Sequence, residues 1–368
     1  MTKKQTLKIV AFFMTIILLV AFFASFFNFN KKQECVRMYG YYAEPDNSLD
    51  VALIGSSEFY RGYIAPIAYD ESGFTSYALT LASMPASLYL PIFKEVSKNQ
   101  NPKMYVVEIN GVFYADQHED NRLREWFDNV PLSKEKIKDI QDIVPEEDRS
   151  SYYFNFEKYH NNWYDIKTCV DVFSQKRIID ADGYSCMKGF YAWFVKSPAK
   201  KLKMKSRPMS EQGEEYMTKF LDYLKDNNVE NIIFVRWPHR NKYEVKENYE
   251  TVTKLIESYG YSFINFGDYS DEIGIDPKND YSDDEHLNPI GAEKMTRYFA
   301  RYMSDNYDVK GEHSEKVTKE WDECTQNALK IIDMCIKKTE ENEGGICWRE
   351  SSYKSLLKKW EKENAEKK

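Results

Sequence analysis

Residues 49–58 read Leu-Asp-Val-Ala-Leu-Ile-Gly-Ser-Ser-Glu. The apolar run Leu49 to Ile54, halted by Gly55-Ser56-Ser57, has the length of a buried strand that feeds a turn. A second strand-like run follows at Phe74 to Leu81. Pro85 then opens an amphipathic stretch to Lys98 that reads as a helix, and a third strand, Met104 to Ile109, lies between Asn101-Pro102 and Gly111. Alternating strands and helices are the mark of a parallel sheet with crossover helices. The rhythm lapses over residues 112–209, which are rich in aromatic and charged side chains such as Trp126, Tyr152, Tyr153, Trp163 and Tyr164, and this stretch reads as an inserted lid. It returns with a helix at Ser210 to Asp226, a strand at Asn231 to Val235, a helix at Tyr243 to Ser258, a strand at Ser262 to Phe266 and a helix at Pro289 to Met303 with proline in its first turn.

Residues 9–27 hold 17 hydrophobic residues in 19, and no charge occurs from Ile9 to Asn30. As a helix this run spans about 28 Å, close to the hydrocarbon thickness of a bilayer. A cleavable signal peptide has a shorter apolar core followed by small residues. Here bulky Phe26 and Phe27 follow, so the expectation is a retained single-pass anchor over residues 1–30. Lys3, Lys4 and Lys8 precede the run, while Lys31, Lys32 and Arg37 follow it, and the charge count alone leaves orientation nearly tied. Residues 31–48 read as a stalk, 49–309 as the α/β domain and 310–368 as a helical extension.

In that extension Trp321, Cys324, Ala328, Ile331 and Cys335 recur at helical spacing, and Glu343-Gly344-Gly345 makes a turn before Tyr353, Leu356 and Trp360. A helical hairpin packed on the domain, or a docking helix for a partner, fits this pattern, and Cys335 and Cys347 could pair across the turn. The six cysteines show no zinc spacing. With 59 Asp and Glu against 51 Lys and Arg, the net charge of −8 supplies no basic stripe, which argues against a nucleic-acid partner.

Two segments carry chemistry. Catalytic groups of open parallel sheets collect beyond the carboxyl ends of the strands, where Gly55-Ser56-Ser57-Glu58 falls, with Arg61 and Gly62 beyond it. A phosphate loop is excluded because no Gly-Lys-Ser/Thr follows. The second is Asp283-Asp284-Glu285-His286-Leu287-Asn288-Pro289, just before the last helix. A serine nucleophile needs a base within hydrogen-bond reach and a carboxylate to orient that base. Asp283 and His286 could make the second contact within their own loop. The alternative for this loop is helix capping by Asn288 or Asp284. The acidic trio Asp283, Asp284 and Glu285 has no second ligand cluster, so no metal or other cofactor is expected. Arg61, Arg236 and His239 are candidate contacts to an anionic substrate, with a plain loop role as the alternative for His239. The insertion's aromatic side chains could stack sugar rings or form a core of their own.

Gly-Ser-Ser after the first strand, together with Asp-x-x-His-Leu-Asn before the last helix, resembles the SGNH (GDSL-type) hydrolase superfamily. The closer likeness is to its membrane-anchored branch, which includes proteins of teichoic-acid D-alanylation and alginate O-acetylation. It covers residues 49–111 and 210–305. The resemblance implies a three-layer α/β/α sandwich and assigns Ser57 as nucleophile, with Ser56 the alternative, His286 as base and Asp283 as its orienting acid. It implies an oxyanion hole from the N–H of Ser57, Asn110 after the third strand and a glycine after the second. Ser83 stands at that last position, a departure from the pattern. The implied function is a serine esterase or O-acyltransferase acting on a cell-envelope polysaccharide or other acylated glycan, in the cell membrane with the large domain extracytoplasmic. The rival is a non-catalytic envelope assembly factor that binds a polymer or a membrane-bound acyltransferase.

Overall fold

The computed structural model describes residues 2–27, 32–167, 169–170, 184–197, 208–240, 246–342 and 353–365. At its centre are five parallel strands, β1 (Val51–Gly55), β2 (Ser76–Thr80), β3 (Met104–Glu108), β4 (Ile232–Arg236) and β5 (Ser262–Asn265), in the order β2-β1-β3-β4-β5. Val51 pairs with both Ser76 and Met104, Tyr105 with Ile232 and Ile233 with Ser262. β1 to β4 are buried along their whole length, which is why they read as continuous apolar runs instead of alternating ones. The chain reverses direction across the sheet after β2. Right-handed crossovers therefore put the β1–β2 connection on one face and the later connections on the other. The crevice at such a reversal, beyond the carboxyl ends of β1 and β3, is the natural place for a ligand.

Each sequence-predicted strand and α/β helix forms, within a residue or two at most ends. The helix before β3 begins as a 3₁₀ turn, Ala86–Leu88, and continues as Tyr89–Asn99. Ser210 caps Glu211–Asp226 by accepting from the Gly213 N–H at 2.9 Å. The last helix of the α/β unit, Pro289–Asn306, runs one turn further than predicted. Between β1 and β2 the chain makes two helices that the sequence reading did not contain, Ser57–Gly62 and Ala65–Ser72.

One expectation is corrected. Residues 31–48 are not a stalk: Lys32–Ala43 is a helix, and its Met38, Tyr39 and Tyr41 are buried in the common core. Of the insertion 112–209, Phe113, Tyr114 and Trp193 reach the end of the sheet where Ser57 and His286 lie. The described part folds into short helices whose large aromatics, Trp126, Phe127 and Tyr152, form core. The short helices Phe156–Tyr159 and His160–Asp165 lie against the N-terminal helix Lys3–Phe27, where the Phe27 and Phe156 ring centroids are 6.3 Å apart.

Lys3–Phe27 is one continuous helix, long and apolar enough to cross a membrane. At the other end of the chain, Glu315–Glu341 and Tyr353–Ala365 pack together through Lys337–Glu363 and Trp360–Asp333, each at 2.9 Å. They also pack on the body. Tyr69 donates to Asp322 at 2.9 Å, and the Tyr353 hydroxyl donates to the Phe190 carbonyl at 3.0 Å. This is the packed arrangement, with the Trp321 ring buried. The turn at 343–345 and Cys347, and with them the Cys335–Cys347 pairing, lie outside the described residues.

Candidate active site

Gly55 ends β1 and Ser57 begins the helix Ser57–Gly62, so the serine stands on a sharp strand-to-helix turn. The turn is packed tightly against β3: a Cβ added at Gly55 would lie 2.6 Å from the Glu108 Cβ. The Ser57 Oγ is 2.7 Å from His286 Nε2. On its other side His286 Nδ1 is 2.9 and 2.8 Å from the two carboxylate oxygens of Asp283. A proton on Nδ1 serves that carboxylate and leaves the Nε2 lone pair to accept from the Ser57 hydroxyl. Ser57, His286 and Asp283 are thus joined in one hydrogen-bonded chain through the His286 ring, with Ser57 and His286 229 residues apart in sequence.

The Asp283–Pro289 loop is shaped to do two jobs. Asp283 Oδ1 accepts from the N–H groups of Glu285 and His286 at 2.9 and 2.8 Å, which closes a tight turn and fixes the carboxylate beneath the ring. Asn288 caps the following helix, accepting from Ile290 and Gly291 N–H at 3.0 and 3.3 Å. Capping and positioning are therefore not alternatives here. Burial pushes the Asp283 carboxyl up, but the His286 hydrogen bond and charge and the two backbone N–H groups outweigh it and hold the group well below the usual carboxylate range. Asp284 turns away to Arg240, at 3.3 Å.

Ser56 is buried, and its N–H donates to Glu108 Oε2 at 2.7 Å, while the other Glu108 oxygen accepts from the Asn110 N–H at 2.7 Å. One carboxylate at the end of β3 therefore clamps both turns that frame the crevice. Burial and the neighbouring Glu58 charge push the Glu108 carboxyl up to about 7 against the pull of those hydrogen bonds. Nothing in the motif reading pointed to Glu108. The available signal was a charge closing the otherwise apolar run Met104–Glu108, an expensive residue at a buried position.

Ser56, Ser57, Ser83, Asn110, His239 and His286 all line a cleft that encloses about 80 Å³. Asn110 directs its side-chain amide at the Glu58 carboxylate, which occupies one of its two N–H donors. Ser83 has φ +48°, in the left-handed region that favours glycine. The N–H of Ser57, at the first position of a helix, has no partner in the helical ladder.

The candidate substrate contacts are placed differently from expectation. Arg61 is buried, lies 3.2 Å above the Trp193 ring and reaches Asp283 Oδ2 at 3.4 Å, so it braces the carboxylate instead of facing the cleft. Arg236 donates to His239 Nδ1 at 3.0 Å and lies 3.9 Å over the Tyr249 ring. His239 lines the cleft, but its Nε2 is hydrogen-bonded to the Glu58 carboxylate. Glu58 was not singled out in the sequence because it reads as an ordinary first-turn acid of a helix. Comparison with family models, with curated proteins and with solved structures finds no match for this chain.

Proposed function

We propose that the protein is a membrane-anchored serine esterase or O-acyltransferase of the SGNH-hydrolase type, acting on ester-linked acyl groups of a cell-envelope glycan. The observation that carries this reading is the unbroken contact from Ser57 Oγ through His286 to Asp283 at the mouth of the sheet crevice. In the first half-reaction the Ser57 oxygen attacks the ester carbonyl carbon as His286 Nε2 takes its proton. The tetrahedral oxyanion accepts hydrogen bonds from the Ser57 N–H and the second Asn110 amide N–H, with Ser83 at the remaining position. The ester C–O bond then breaks, and the leaving alkoxide takes the proton from His286. In the second half-reaction water or a glycan hydroxyl attacks the acyl-serine, His286 takes that proton and returns it to the Ser57 oxygen.

The apolar helix Lys3–Phe27 supports a retained anchor, which would hold the cleft near envelope polymers or a membrane-bound acyl donor. Full-length protein incubated with an O-acetylated glycan should release acetate or pass it to an added acceptor glycan, and Ser57→Ala should do neither. Equal acetate release by wild type and Ser57→Ala would refute the reading.

A further inference from the structure

Among the described residues, the large apolar side chains exposed outside the N-terminal helix all fall between residues 132 and 170. That is the region beside the helix end. The Phe27 carbonyl accepts from Asn162 Nδ2 at 2.7 Å, next to the Phe27–Phe156 ring contact. Tyr153, Phe154, Trp163, Tyr164 and Ile166 crowd this corner with their side chains in solvent, and Trp163 is 51% exposed. Beside the helix end a recess of about 870 Å³ is walled by Ala24 and Ser25 on one side and by Leu132, Ile137, Tyr153 and Phe154 on the other.

A soluble surface rarely leaves so many neighbouring apolar side chains open to water. Tyrosine and tryptophan are the residues that settle at the headgroup level of a bilayer, where an apolar ring body and a polar edge are both accommodated. Ala24 and Ser25 belong to the last turn of the apolar helix. If that helix crosses a bilayer, its last turn lies at the level where acyl chains meet headgroups, and whatever packs against Phe27 lies at the same level. We propose that this face is a membrane-docking surface: the interfacial layer of a phospholipid leaflet covers Tyr153, Phe154, Trp163, Tyr164 and Ile166, and lipid fills the recess beside Ala24 and Ser25. The domain then lies on the bilayer instead of hanging from its helix, and the Ser57 cleft is held at a fixed height above the lipid. This rests on the reading of Lys3–Phe27 as a retained membrane span, and it is independent of the chemistry at Ser57.

Full-length protein is reconstituted into phosphatidylcholine vesicles, with and without bromine on the upper part of the acyl chains, and tryptophan emission is compared for wild type and Trp163→Phe. The apolar helix contains no tryptophan, so it contributes nothing to the signal. Brominated lipid should quench a component of wild-type emission that Trp163→Phe lacks, and Tyr164→Trp in the Trp163→Phe background should restore it. In unbrominated vesicles that component should be shielded from iodide. Equal quenching in wild type and Trp163→Phe, with Trp163 open to iodide, would overturn the docking surface, as would a protein partner covering this face in place of lipid, since pure lipid vesicles would then leave Trp163 unquenched. The intact mass of the vesicle-bound chain separates the two failures. With the helix retained and no quenching, docking alone falls, whereas a chain lacking the helix overturns both the span and the docking.

Discussion

Two histidines share the cleft, and they are wired in opposite senses. His286 offers Nδ1 to the Asp283 carboxylate and Nε2 to a serine hydroxyl, so its free lone pair faces the group to be activated. His239 receives the Arg236 guanidinium at Nδ1 and turns Nε2 to the Glu58 carboxylate. Its lone pair is consumed by an arginine that cannot give up a proton, so it cannot serve as a base. Beside the same serine turn, one ring is wired so that it would act as a base under the proposed reading, and the other is wired as a strut. The neighbour on each nitrogen decides, more than proximity to the cleft.

The sharpest break of that comparison would come from exchanging the consequences of the two alanine variants. His286→Ala should lower ester turnover by at least about 10⁴-fold while the melting temperature moves by only a few degrees. His239→Ala should do the reverse. It removes a partner from the buried Glu58 carboxylate and should cost about 3 kcal/mol of stability by denaturant titration, with turnover of the folded fraction retained within about 10-fold. If His239→Ala stays fully folded and loses turnover as completely as His286→Ala, the assignment of roles is wrong.

Glu108 sharpens the picture on the structural side. Its carboxyl titrates near 7 in the folded protein against an ordinary value of 4.5. An acid whose folded value is raised binds its proton more readily when folded. Its stabilising contribution is therefore complete below about 4.5 and is lost as pH rises through about 7, an effect of about 3 kcal/mol. Glu108→Gln should flatten the fall in thermal stability between these pH values relative to wild type. Parallel curves for the two proteins would contradict the buried clamp. The smallest effect belongs to Ser83. A serine at φ +48° carries strain of about 1 kcal/mol that glycine does not, so Ser83→Gly should raise the melting temperature slightly and keep turnover near wild type.

The strands were legible because β1 to β4 are buried on both faces and their middles are apolar, and the last helix because proline and an asparagine cap announce it. Ser57, His286 and Asp283 were legible because two of them share one loop and the third sits on the first strand-to-helix turn. The Lys32–Ala43 helix was not, since its burial depends on surfaces made elsewhere in the chain. Nor was the Arg236–His239–Glu58 chain. Glu58 and His239 are 181 residues apart and each is unremarkable in its own segment, so only tertiary contact gives them a shared role. The insertion's aromatics fit a sugar-stacking face or a core equally well by composition, and their neighbours divide them between core and surface.

Reaction of the full-length protein with a fluorophosphonate probe, followed by mass spectrometric location of the adduct, tests the central claim most directly. A phosphonylated Ser57 in wild type, with no adduct in Ser57→Ala or His286→Ala, is the predicted result. Wild-type protein that stays unlabelled under conditions that label a known serine esterase, or that carries its adduct on Ser56, would contradict it.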